Sequence, residues 1–320
     1  MDFKTLYDTL LSDYQIRKSG KQKQKFIQFI QDKCDELELY CSVEKKKGLF
    51  YNRNIVVGDV KSADIICTAH YDTCAVLPFP NFITPKNIFI FVFAQLFFLG
   101  IVFGLIMGIP KLLAYQIHDL NPFYTHILPN ILFLGFCIQM IAGFPNKHTA
   151  NDNTSGVATL LSLMYNIPKE NRNKIAFVFF DNEEVGLIGS SHFKKLHKKI
   201  IADKLLINFD CVSDGDHFLF ISKKKARQSE IYPLFENVLE EKGVEYGKHT
   251  EFLSAFRAFY PSDQILFGKS IGVAALKKSP IFGLYMDRIH TPKDVIFDRK
   301  NIEFLCDSIT TVVSKIVQAE

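Results

Sequence analysis

Several short stretches of this sequence close or adjoin apolar runs with side chains that bind cations. "CTAHYDT" sets His70 and Asp72 two residues apart, "FFDNEEVGLIGS" places Asp181, Glu183 and Glu184 within four positions, and "NFD" closes on Asp210. "HTANDNTSG" puts Asp152 ahead of a helical pattern, and "RIHTPKD" supplies His290 and Asp294. Taken singly, each has an ordinary explanation. A histidine at a strand end is usually a satisfied side chain, an aspartate before a helix is a cap or turn former, and first-turn glutamates suit a helix dipole. Together they point elsewhere, because five or six acids and imidazoles at buried strand ends are costly to leave unpaired, and one or two divalent cations account for all of them. Adjacent Glu183 and Glu184 point in different directions. One carboxylate can therefore hold metal while its neighbour faces an activated water as general base.

The elements that would carry these residues follow from periodicity. Two polar helices are expected over residues 2–15 and 21–37, the second with Phe26, Ile27, Phe29 and Ile30 as its apolar face, followed by short strands. "ADIICTAH" (63–70), "KIAFVFFD" and "KLLINFD" read as buried strands that deliver their last residues to a site, and "GVAAL" from Gly272 as one more. "NTSGVATLLSLMYNI" has helical spacing with Asn153, Thr154 or Ser155 available as a cap. "GLIGSSHFKKL" opens a further helix, and a last one covers about 301–317. Strands alternating with helices define an α/β, three-layer domain with a mixed, largely parallel sheet, whose ligands gather at the carboxyl ends of strands.

Composition adds a second theme. The 320 residues are 48% hydrophobic and 22% charged, enough for one large core or two modest ones. The apolar content is concentrated: between Asn87 and Asn146 the only charged side chains are Lys111 and Asp119. Ile88–Ile109 is 22 residues with Gln95 as its sole polar side chain, and a helix of that length reaches about 33 Å, enough to cross a bilayer. His126–Phe144 is a weaker second span, interrupted by Pro129, Asn130 and Gln139.

The expectation is a transmembrane helical hairpin over 87–146, with Lys111 in its loop, inserted into one polar domain formed by 1–86 and 147–320. Gly100, Gly104 and Gly108 offer a face on which a second helix, including one from another copy of the chain, could approach closely. The first fifteen residues carry Asp2, Lys4, Asp8 and Asp13 and no long apolar core, so they do not read as a secretory signal. Two spans then return the chain to its starting side, which places the protein in the cell membrane with the polar domain cytoplasmic. Seven cysteines without metal-site spacing read as reduced thiols. The net charge of +4 is mild and no basic stripe argues for nucleic acid, so no nucleic-acid partner is expected.

The ordered set His-x-Asp, Asn-Asp-Asn-x-Ser-Gly, Phe-Asp-Asn-Glu-Glu-x-Gly-Leu-x-Gly-Ser, Asn-Phe-Asp and His-Thr-x-x-Asp resembles the co-catalytic di-zinc aminopeptidases, metallopeptidase family twenty-eight. The resemblance covers nearly the whole polar chain. It implies that Asp152 bridges two zinc ions, that His70 and Asp210 complete one site and Glu184 and His290 the other, and that cobalt or manganese could substitute. It also implies Glu183 as general base, working on a metal-bridging water, and Asp72 as the carboxylate orienting His70, with Asp181 and Asp294 structural. The implied activity is hydrolysis of peptide bonds at peptide N-termini.

Two departures stand out. Gln264 in "PSDQILF" occupies a position where the family usually has His, and 81 residues separate His70 from Asp152 where a short connection is ordinary. The surplus is the apolar hairpin, which implies a cleft held near the bilayer and peptides that are membrane-associated or delivered there. Two related readings are a glutaminyl-cyclase-like single-zinc acyltransferase, weakened by the absence of any Trp, and a catalytically silent binding scaffold of the same fold. A transporter component would need more spans and intramembrane charge.

Overall fold

The structure is a computed structural model that describes residues 2–48, 50–117 and 121–319. Two helices open it, α1 (Phe3–Asp13) and α2 (Gly20–Glu36). Ser19 starts α2 with a capping box: its side chain accepts from the Gln22 amide, and the Gln22 side chain accepts from the Ser19 amide. Three strands follow, β1 (Cys41–Lys46), β2 (Asn52–Val57) and β3 (Ile65–His70), and then the apolar helices α3 (Ile88–Gln116) and α4 (Leu128–Ala142). Beyond them come α5 (Gly156–Asn166), β4 (Ile175–Phe180), α6 (Ile188–Leu196), β5 (Leu205–Phe209) and β6 (His217–Ser222). The chain continues through the one-turn α7 (Lys224–Arg227), α8 (Ile231–Tyr246), β7 (His249–Ser254), β8 (Ser270–Ser279), β9 (Gly283–Tyr285) and α9 (Arg299–Gln318).

The described strands make one mixed sheet in the order β1-β2-β4-β3-β5-β8-β6-β7, with β9 paired to β8. Its centre, β4-β3-β5-β8, is parallel, and β2 and β6 flank it antiparallel. Parallel strands need cover on both faces, and β3, β4 and β5 are buried at every residue. Within β3, Ile65, Cys67 and Ala69 join the cluster beneath α2, α5, α8 and α9, while Ile66 joins the cluster on the opposite face with Phe193 of α6. Register then places the strand ends together: His70 pairs with Phe180, and Thr68 with Asn208. Strands from before and after the apolar segment thus lie side by side.

The apolar segment departs from expectation in detail. α3 runs past Ile109 and over Pro110 to Gln116, so Lys111 lies within the helix and not in the loop. Asp119 falls outside the described residues. A wide turn at Phe123–Ile127 leads into α4, giving a second helical stretch of 20 residues. Both stretches are long and apolar enough to cross a membrane, and none of the most apolar window of α3 is buried against the protein. Little of the second stretch is buried either, so neither helix packs inside the core of the polar domain. A methyl group added at Gly100, Gly104 or Gly108 would meet nothing, so α4 does not occupy the glycine face. The two helices meet elsewhere, for example through Phe103 and Phe133, whose ring centroids are 5.3 Å apart.

Two of the polar residues that interrupt the apolar runs, Gln95 and Gln139, reach the polar domain. Gln95 donates to Asn81 Oδ1 (3.2 Å) and the Phe82 carbonyl (3.1 Å), and Gln139 donates to the Val76 carbonyl at 3.3 Å. Both bind the loop that leaves the His70–Asp72 strand end.

Candidate metal centre

His70 is the last residue of β3 and is almost fully buried. Its Nε2 lies 3.3 Å from Asp152 Oδ1 and 3.4 Å from Asp210 Oδ1. His290 Nε2 lies 2.9 Å from the other Asp152 oxygen, Oδ2, and 3.3 Å from Glu184 Oε2. One carboxylate therefore faces two donor groups, each through its own oxygen. All five proposed ligands and Glu183 converge, although they come from strand ends and loops spread along the chain.

Local sequence explains how Asp152 is presented. In the irregular turn Ala150–Ser155, Asn151 Oδ1 accepts the amides of Ser213 and Asp214, and Asn153 binds the Phe209 carbonyl while accepting the Gly156 amide that starts α5. Of the three candidate caps, Asn153 takes the role. Gly156 is required by proximity, since a Cβ there would lie 2.4 Å from the Phe209 carbonyl oxygen. Asp294 accepts the amides of Asn151 (2.7 Å) and Asp152 (3.0 Å), clamping the turn from the far side. Asp181 is turned away, paired with Lys23 and accepting the Arg53 amide.

Asp72 has partners besides His70. The His70 Nδ1 is closer to the Asp72 main-chain carbonyl (3.1 Å) than to its carboxylate (3.7 Å). The carboxylate instead accepts the amides of Glu183 (2.9 Å) and Glu184 (3.2 Å). Asp72 thus fixes the Glu-Glu pair against the imidazole in addition to facing His70. Asp72→Asn would replace one acceptor oxygen by a donor that opposes an amide. Metal affinity is expected to fall by roughly 10- to 100-fold, measured by zinc titration.

The electrostatics show what the cluster lacks. Burial pushes the Glu184 carboxyl up to about 8, with Asp152 and Asp72 adding to the shift against the two imidazoles. Burial, then Glu184, Asp263 and Asp210, drives Glu183 well above the carboxylate range, with His70 opposing. Burial disfavours a charged His290, yet Glu184, Asp152 and Asp294 outweigh it and raise the ring to about 9. Glu184 Oε1 is buried with no hydrogen-bond partner. An excess of buried carboxylate, an orphaned oxygen and two imidazole nitrogens among oxygens form a donor set that fits divalent metal.

Two residues correct or extend the sequence reading. Cys74 brings its sulfur to within 4.8 Å of donor atoms of Glu184 and His290. Burial and then Glu184 hold its thiol well above the usual range in the metal-free centre. Its proximity depends on the turn after Asp72, which no spacing reveals. Gln264 is buried and bonds Asn208 and the Tyr260 carbonyl, so its amide supports β5 and β8 and does not line the site.

Fold and donor set together define a class: an α/β protein whose metal-binding carboxylates and imidazoles gather around the carboxyl ends of parallel strands. The profile of peptidase family M28 matches residues 140–305, more than half of the chain, and the chain belongs to that family. The matched region contains Asp152, Glu183, Glu184, Asp210 and His290. It leaves out His70, Asp72 and nearly all of the apolar segment. An aminopeptidase of Pseudomonas aeruginosa is 28% identical over 164 residues, 46% of this chain and 30% of that protein. The chain therefore spans less than a third of the length of the curated relatives it matches. Among solved structures, a zinc-dependent exopeptidase from Parabacteroides distasonis aligns with a TM-score of 0.61 at 15% identity, covering 98% of this chain and 96% of that one. Porphyromonas gingivalis glutaminyl cyclase aligns with a TM-score of 0.60 at 14% identity, covering 98% and 97%. At these identities the likeness concerns the fold.

Proposed function

We propose that this protein is a membrane-anchored zinc aminopeptidase with two metal ions at one centre. The observation that carries the reading is Asp152, whose two oxygens face His70 with Asp210 on one side and His290 with Glu184 on the other. Asp152 would hold both ions, and those pairs would complete the two sets. Bound zinc would supply a positive field that polarises a carbonyl and acidifies water. Glu183 takes a proton from the attacking water at its carboxylate and delivers it to the departing amine. Asp72, through the Glu183 and Glu184 amides, keeps that carboxylate in place.

Exposure of α3 and α4 supports the anchor. Each large apolar side chain left in water forgoes roughly 1.5–3 kcal/mol, and both helices expose many, among them Phe89, Phe93, Leu96, Leu112, Leu134 and Ile138. A bilayer supplies the missing apolar surroundings, with the polar domain on the cytoplasmic side. The fold likeness to glutaminyl cyclase favours one competing reading, a single-zinc acyltransferase.

One experiment separates the readings. The full chain, which should stay with membranes through alkaline carbonate extraction, is purified in detergent, loaded with zinc and given free and N-acetylated peptides. Mass spectrometry should show single-residue losses from free amino ends only. Internal cleavage, or loss of ammonia from N-terminal glutamine without hydrolysis, would overturn the proposal.

Proton balance gives a second check. With Glu184 near 8 and His290 near 9, the metal-free centre holds protons at pH 7 that must leave when metal binds. Apparent zinc affinity should therefore rise from pH 6 to pH 9. Calorimetry in buffers of different ionisation heat should record proton release at pH 7.

A further inference from the structure

We infer that the first turns of the membrane helix α3 form a wall of the substrate pocket, with Phe91 and Gln95 setting which N-terminal side chain the enzyme accepts; this rests on the aminopeptidase reading above. A cavity of about 260 Å³ opens directly onto the metal centre, with His70, Glu183 and His290 at one end. Away from the metal centre it is lined mostly by apolar side chains, Ile83, Tyr260, Pro261 and Ile289, with Asn81 and Cys211 among them, and Phe91 and Gln95 of α3 complete the wall. Two of its lining residues therefore belong to the segment that reads as a bilayer span.

Helix geometry makes this wall specific. Asn87, Phe91 and Gln95 are spaced by four, so they share the face of α3 turned to the domain. Phe89, Val92, Phe93, Leu96 and Phe97 occupy the exposed remainder. The inward face is fixed at several points. Asn87 Oδ1 accepts the Ile90 amide (3.1 Å), Thr84 bonds the Asn87 carbonyl (2.9 Å), and the Phe91 and Phe259 rings lie 6.1 Å apart. Gln95 bonds Asn81 and the Phe82 carbonyl, which tightens the loop beside Ile83. The one polar side chain in a run of 22 residues is costly in hydrocarbon unless it has partners. Here it has two, and it belongs to the cavity.

The chemistry of the cavity selects its occupant. A carboxylate-rich end suits a free ammonium group, and walls of Ile, Phe and Tyr suit an apolar side chain of moderate size. The substrate class is peptides whose first residue is apolar, with the upper size limit set by Phe91. Phe91→Ala should enlarge the pocket and Phe91→Trp should shrink it.

The test compares kcat/KM of the full-length enzyme for peptides beginning with Ala, Leu and Phe. The ratio of Phe to Ala substrates should rise about tenfold or more in Phe91→Ala and fall similarly in Phe91→Trp. Phe93→Ala, on the exposed face of the same helix, should leave the ratio unchanged. Unaltered ratios in both Phe91 variants would overturn the inference, as would an equal change in Phe93→Ala.

A second measurement does not depend on turnover. Maleimide labelling of Phe91→Cys should be slowed by a Leu-initiated peptide, whereas labelling of Phe93→Cys should not. If wild-type enzyme cleaves no peptide, the aminopeptidase reading fails and labelling alone decides the pocket. Protection at position 91 then supports the inference, and its absence overturns it.

Discussion

Glu183→Gln is expected to reduce peptide turnover by roughly 10²- to 10⁴-fold while metal content stays at the wild-type level. Glutamine keeps the shape of the side chain and the main-chain amide that Asp72 accepts, so the turn carrying Glu184 should persist. What disappears is the ability to take and return a proton. The sign of the pH effect follows from the environment. Burial and the neighbouring carboxylates raise Glu183 above the ordinary range in the metal-free centre, and bound cations would lower it again; at either value the proposed base is protonated and inactive on the acid side. The acidic limb of the kcat profile should therefore belong to Glu183 and be missing from the residual activity of the variant. Elemental analysis is the control that separates roles, because Glu183 also lies within donor distance of His70 and Glu184. Loss of zinc in proportion to activity would make it a ligand, and full activity would remove it from the chemistry.

How far the sequence reveals this centre depends on the range of each contact. His70, Asp181 and Asp210 end or follow strands buried at every position, and such runs are visible as short blocks of Ile, Val, Phe and Leu closed by polar residues. Once these strands are parallel neighbours, their ends must meet. The apolar segment was legible from hydropathy alone, as was α9, whose Ile302, Leu305, Ile309, Val312 and Val313 repeat at helical spacing. β6, α8 and β7 were not read. β7 is only half-buried at the sheet edge, and α8 carries Pro233 and Gly243, which blur a helical pattern. The grip of Asp72 on the Glu183 and Glu184 amides spans 111 and 112 positions, beyond any local pattern. The same is true of Phe91 against Phe259, which turns part of a hydrophobic span into a pocket wall.

Asp152→Asn is expected to have the broadest effect of any single ligand change, because it touches both donor groups at once. Glu184 or Asp210 serves one group, whereas Asp152 presents Oδ1 to His70 and Oδ2 to His290. An asparagine keeps one acceptor and converts the other into an NH₂ that cannot bind a cation. On the two-ion reading proposed above, metal content should fall from about two ions per chain to one or fewer, and turnover should fall to background. The turn itself should survive, since Asp294 still receives the Asn151 and residue-152 amides and Asn153 still caps α5. The decisive readout is the zinc-induced rise in Tm. Each protein is compared with its own metal-free form, so any general loss of stability cancels. A ligand at 100 times its Kd stabilises by about 2.7 kcal/mol, and the wild-type protein should show a shift of that order at each occupied site. The variant should gain clearly less. If Asp152→Asn binds as much zinc as the wild type and gains the same Tm shift, Asp152 does not bridge, and the two donor groups do not form one centre.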